Sequence, residues 1–117
     1  MKGLVKRSML AAMAATFMAG ASIAAEVKSI AIMTPEEGTD FGWNQQGVDA
    51  AKAAAEAAGV EVIVASGLGY GDVRPALREI AADGASLIIA HASGYATSAP
   101  EIAEETKVPV AIVDSPN

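Results

Sequence analysis

The chain has 117 residues, a formal net charge of −6 and no cysteine. The missing cysteine excludes disulfides, thiolate metal sites and a lipid-anchored N-terminal cysteine. The acidic balance argues against nucleic acid or an anionic membrane as partner and leaves any small ligand open.

The N-terminus is read first as an export signal. Met1, Lys2, Lys6 and Arg7 precede an apolar run from Met9 to Gly20, followed by Ala21-Ser22-Ile23-Ala24-Ala25. A basic start, a short apolar core and a small-residue exit predict a signal peptide over residues 1–25, cut after Ala24 or Ala25. The apolar run falls short of the roughly 20 residues that span a bilayer. An exported chain with neither anchor nor span points to the periplasm. Loss of Lys2, Lys6 and Arg7 would leave the rest more acidic still.

From there, apolar runs alternate with helical periodicity. Val27–Met33 reads as a buried strand, and Asn44–Ala58 as a helix that Gly59 ends. In that helix Val48, Ala51, Ala55 and Ala58 share one face, and Asp49, Lys52 and Glu56 another. Val60–Ala65 is short and β-branched, as a buried parallel strand should be. Asp72 is the expected N-cap of the next helix, with Pro75 in its first turn and Gly84 at its left-handed stop. Val73, Ala76, Leu77, Ile80 and Ala81 form its core-facing stripe. Ala85–His91 is a third strand. Ser98-Ala99-Pro100-Glu101 has capping-box spacing and opens a helix to Thr106, and Val108–Val113 is a fourth strand. The order β-α-β-α-β-α-β implies a doubly wound α/β layer with parallel strands. Three helices on four strands leave one face thinly covered. Residues 26–117 are therefore read as an incomplete lobe of a larger protein.

In open parallel sheets, ligands sit beyond the carboxyl ends of the strands, where strand order reverses. The loop Thr34–Trp43 is the most informative candidate, because Phe41 and Trp43 are concentrated there in a chain poor in aromatics. Trp43 could lie flat against a planar ligand, and Asn44 or Gln45 could pair with a base edge. The same two rings could instead close the hydrophobic layer. Gly67-Leu68-Gly69-Tyr70-Gly71-Asp72 fails the dinucleotide fingerprint in spacing and in place, and reads as a flexible turn. Ser93 and Gly94 follow the third strand and offer a hydroxyl and a backbone N–H. Asp114 ends the fourth, where a carboxylate could accept from ribose or sugar hydroxyls or cap the next element. His91 is the lone histidine, with no orienting carboxylate or nucleophile elbow in line, so neither catalysis nor a cofactor is expected. No grouping of His, Asp and Glu has metal spacing.

With the signal segment, the alternating strands and Asp40-Phe41-Gly42-Trp43-Asn44-Gln45-Gln46-Gly47 in view, the chain resembles the basic membrane protein (BMP) family of ABC-transporter substrate-binding proteins. Asp40, Trp43, Asn44 and Gln45 match that family's segment after its first strand. Ser93-Gly94 and Asp114 match its third and fourth strand ends. The resemblance implies the N-terminal lobe of a type I periplasmic-binding fold that closes on a purine nucleoside and hands it to an ABC permease, as a monomer. It also implies Trp43 as one stacking ring, Asn44 as a base contact and Asp114 as a further contact. Two features depart from the family: its ring is commonly phenylalanine, and many members carry a lipid-bearing cysteine. The alternatives are a sugar or other small polar ligand on the same fold, and a sensor that signals to a membrane receptor.

Overall fold

The computed structural model describes residues 26–114; the expected signal peptide over residues 1–25 lies outside the described residues. Four strands form one parallel sheet: β1 (Ser29–Met33), β2 (Glu61–Ala65), β3 (Leu87–Ala90) and β4 (Val110–Ile112). Between them run α1 (Trp43–Ala58), α2 (Arg74–Ala82) and α3 (Ser98–Thr106). The strand order is β2-β1-β3-β4, with Ile30 paired to Val62 on one side and to Leu87 on the other. Chain order therefore reverses between β1 and β3.

That reversal decides where each helix lies. The β1-to-β2 crossover runs one way across the sheet, and the next two run the other way. If every crossover is right-handed, α1 must cover one face while α2 and α3 share the opposite one. The hydrophobic clusters agree. Ala31 and Met33 of β1 pack with Leu77 and Ile80 of α2, Ile88 of β3, and Ala99 and Ile102 of α3. On the other face, Ile32 packs with only Val48 and Ala51 of α1, joined by partly buried Val62 and Ile89. Strand alternation sends neighbouring residues to opposite faces, so β1, buried along its whole length, feeds both cores.

The thin face predicted from the sequence is thus the α1 face. An apolar groove of about 330 Å³ runs there between Ala51 and Ala54 of α1 and Ile32, Ile89 and Val113 of the sheet. Ala58, expected on the buried stripe of α1, is exposed, while Ala55 one turn earlier is buried.

Helix ends follow local chemistry, with two corrections. Gly59 adopts φ 67° and ends α1, its N–H returning to the Glu56 carbonyl at 3.1 Å. Asp72 is not the N-cap of α2; Val73 holds that position. The Asp72 carboxylate instead accepts from the Arg74 N–H at 3.1 Å and pairs with the Arg74 guanidinium at 3.0 Å. The expected capping box of α3 does not form either. Thr97 precedes the helix already in helical conformation, Ser98 is buried inside it, and Glu101 is taken by Arg74 at 2.8 Å. A second pair, Arg78–Glu105, also at 2.8 Å, ties α2 to α3. Exposed pairs like these add little to stability. Among the described residues, no helix is long and apolar enough to cross a membrane.

Candidate ligand-binding site

The three connecting loops and Asp114, two residues past β4, gather beyond the carboxyl ends of the strands. The loops after β1 and β2 are zipped together by main-chain bonds. Gly67 N–H donates to the Glu36 carbonyl (3.1 Å), Leu68 N–H to Thr34 (3.1 Å) and Gly69 N–H to Pro35 (2.8 Å). Gly67 and Gly69 take φ near 70°, the left-handed region that glycine enters without steric cost. This pairing uses the very N–H groups that a phosphate-binding loop would leave free. The glycine-rich segment is a structural turn, as its spacing implied.

The residues 40–45 build the start of α1. The Asp40 carboxylate accepts from the backbone N–H groups of Gly42 (2.9 Å), Asn44 (3.3 Å) and Gln45 (3.0 Å), and from the Asn44 side-chain amide at 2.7 Å. These donors, led by the Asn44 amide, hold the carboxyl well below the usual carboxylate range. Gln45 Oε1 answers by accepting the Phe41 N–H at 2.9 Å. Two side chains thereby satisfy, reciprocally, the donors that a helix start leaves orphaned. Asn44 is only 5% exposed and its Oδ1 is buried without a partner. Phe41 adopts φ 56° and stands 94% exposed.

Trp43 opens α1 and is 49% exposed. Its indole stacks on the His91 ring at a centroid distance of 4.5 Å and 17° between planes. His91 Nε2 lies 2.9 Å from the Trp43 carbonyl oxygen. After β3 the chain forms a single 3-10 turn, Ser93–Tyr95, that exposes Ser93 and Gly94. Tyr95 is fully buried behind them, donates its hydroxyl to the Gly69 carbonyl at 2.8 Å, and is pushed up to about 12 by burial. Asp114 follows β4 with φ 63° and is exposed.

Trp43, Ser93 and Asp114, chosen from three separate segments of the sequence, line one open cleft of about 280 Å³ together with Tyr70 and Ala92. Gly94 borders it from behind, where an added Cβ would come within 3.0 Å of the Tyr70 ring. Asp40 and Asn44 lie at the capped helix start below Trp43, and Phe41 does not line the cleft. Tyr70, 66% exposed, is the wall that sequence reasoning passed over. Its signal was an aromatic between two glycines after a strand. None of the lining residues is basic, and the lining carboxylate is Asp114. The surface can therefore offer two ring faces, a hydroxyl and a carboxylate to one small molecule. Among the described residues, no three His, Asp or Glu side chains come together as a metal site.

No family profile matches the chain, and no curated protein does. Among solved structures it is similar to an ABC transporter system solute-binding protein from Conexibacter woesei DSM 14684, at 24% identity and a TM-score of 0.64. The match covers 77% of this chain and 30% of that one, so this chain corresponds to under a third of its neighbour's length. The likeness is one of fold: a four-strand, three-helix α/β layer of the periplasmic-binding-protein type.

Proposed function

We propose that this chain is the N-terminal ligand-gripping lobe of an ABC-importer solute receptor of the BMP family, binding a purine nucleoside without chemical change. The observation that carries this reading is the cleft at the switch point between β1 and β3. There the half-exposed Trp43 lines one opening together with Ser93 and Asp114. A flat base stacks on an indole, and a ribose presents hydroxyls to a carboxylate. The fold shared with a solute-binding protein supports the receptor role. The N-terminal export pattern supports a periplasmic site of action, with an inner-membrane permease as partner. The Asp40 carboxylate already occupies the start of α1, and no basic residue lines the cleft, which favours an uncharged nucleoside over a nucleotide.

A sugar is the second reading. Two aromatic walls beside a carboxylate also suit a pyranose ring, whose apolar face stacks and whose hydroxyls donate. A thermal-shift titration with adenosine, inosine, uridine, ribose and glucose separates the two. A ligand at about a thousand times its Kd stabilises the protein by roughly 4 kcal/mol. A shift with adenosine or inosine that Trp43→Ala abolishes is the expected result. A shift with glucose or ribose alone transfers the site to sugars, and no shift with any of them overturns the assignment of this cleft.

A further inference from the structure

We infer that His91 is a positioning residue that fixes the Trp43 indole as a flat, one-sided wall of the cleft; this rests on the reading of that cleft as the ligand site.

His91 directly follows β3 and is 7% exposed. Its own N–H is bound to the Met33 carbonyl of β1 at 3.0 Å, so its backbone is anchored in the centre of the sheet. Its ring lies in a recess on α1 that exists because residue 47 is glycine. A Cβ there would come within 2.6 Å of Cδ2 and Nε2 of the imidazole. Gly47 lies one turn beyond Trp43 on the same helix, so the recess opens directly beneath the indole. From this seat His91 grips Trp43 twice: by ring stacking and through the main-chain carbonyl. A carbonyl can only accept, so Nε2 carries the proton and the tautomer is set.

A tryptophan in the first turn of a helix, half in solvent, would otherwise exchange rotamers on the picosecond-to-nanosecond scale. With one indole face covered by His91, the opposite face is left for a ligand. Part of the ordering that binding would otherwise cost is already done in the fold. No other described contact of His91 is with the cleft: its ring edge otherwise meets the apolar groove beside α1.

Trp43 is the sole tryptophan and His91 the sole histidine in the chain, so each can be followed alone. The experiment is time-resolved fluorescence anisotropy and acrylamide quenching of Trp43 in the full chain, for the parent, His91→Ala, His91→Phe and Gly47→Ala. Far-UV circular dichroism checks folding. The parent should depolarise only with overall tumbling. His91→Ala should add a fast component. Because Trp43 is 49% exposed, uncovering its second face should raise quenching about twofold. Gly47→Ala keeps both rings but evicts the imidazole from its recess, and should reproduce the effect if His91→Ala fails to fold. His91→Phe restores a flat partner and should hold the indole still. In a parallel titration with adenosine, His91→Ala should weaken binding roughly three- to tenfold, the worth of about one aromatic pair. Equal depolarisation in the parent and in folded Gly47→Ala would overturn the positioning role. A fast component in the variants with no adenosine binding by the parent would support that role and sink the nucleoside reading alone.

Discussion

The two faces of the sheet are built to different standards. Under α2 and α3, Leu77, Ile88, Ala99, Ile102 and Tyr95 are each fully shielded from solvent, and the cluster runs from Val73 to Ile102 without a break. Under α1 the cluster holds Ile32, Val48 and Ala51, with an open apolar groove beside it. Yet the thin face carries Trp43, Gly47 and His91, the parts that shape the cleft wall. On the proposed reading of the cleft, the difference teaches that stability and recognition are divided across the sheet. The α2/α3 side supplies the packing that holds the strands in register, and the α1 side uses that fixed platform to present a ring.

The most severe way to break this comparison is truncation on each face. Leu77→Ala should cost about 2–5 kcal/mol, since it removes a fully buried side chain from a closely packed cluster. Val48→Ala, which removes two methyl groups beside a groove that can relax, should cost about 1.5 kcal/mol. Urea unfolding followed by circular dichroism measures both. Equal losses would mean that the α1 face is as tightly packed as the other.

Enlargement sharpens the same contrast from the opposite direction. Ala99→Leu forces a larger side chain into a filled core and should cost about 1–3 kcal/mol. Ala54→Leu places the same added volume over the apolar groove, where it covers exposed surface, and should change stability by no more than about 0.5 kcal/mol. A large loss from Ala54→Leu would show that the groove lacks room for a branched side chain.

How much of this was legible beforehand differs between the layers. Strand and helix order could be read because β-branched runs such as Val60–Ala65 and the Leu77–Ile80 stripe carry their own periodicity, and because Gly59 and Gly84 mark helix ends. Trp43, Ser93 and Asp114 could be chosen because parallel sheets expose their carboxyl ends in one place. The caps were less legible. Glu101 has the right spacing for a reciprocal cap with Ser98, but Arg74, from another helix, outbids a weak local bond with a charge-assisted one. Tyr70 was hidden in a turn whose glycines explained themselves. The His91–Trp43 contact joins residues 48 positions apart through a gap left by Gly47, and no local pattern reports such a fit.

Tyr95 joins the dense face to the loop that follows β2, so it tests whether the two are coupled. Tyr95→Phe removes the hydroxyl bond to Gly69 and should cost about 1 kcal/mol while leaving the core intact. The pH dependence has a definite sign. The phenol ionises near 10 in an unfolded chain and is raised to about 12 here, so its contribution is complete below about 10 and fades as pH rises toward 12. Tyr95→Phe should therefore lose less stability than the parent across that alkaline window. An identical alkaline profile in the two proteins would mean that the hydroxyl is not protected.

A smaller effect than at Tyr95 is expected at Asp40, which is exposed just before α1. Its carboxyl is held below its ordinary value by four donors, so folding favours the ionised form. The stability this gives is complete above the unfolded value of about 4 and is lost as pH falls through the lower folded value. Asp40→Asn keeps a side-chain acceptor for the backbone donors but cannot carry the charge, so the thermal midpoint should drop by a few degrees near neutral pH. The gap between parent and variant should then narrow as the solution is acidified below pH 4. Because Trp43 begins the helix that Asp40 caps, its emission should stay unchanged if His91 alone holds the ring. A shift in Trp43 emission on Asp40→Asn, with His91 intact, would instead make the cap part of the binding wall and move the boundary between the two regions.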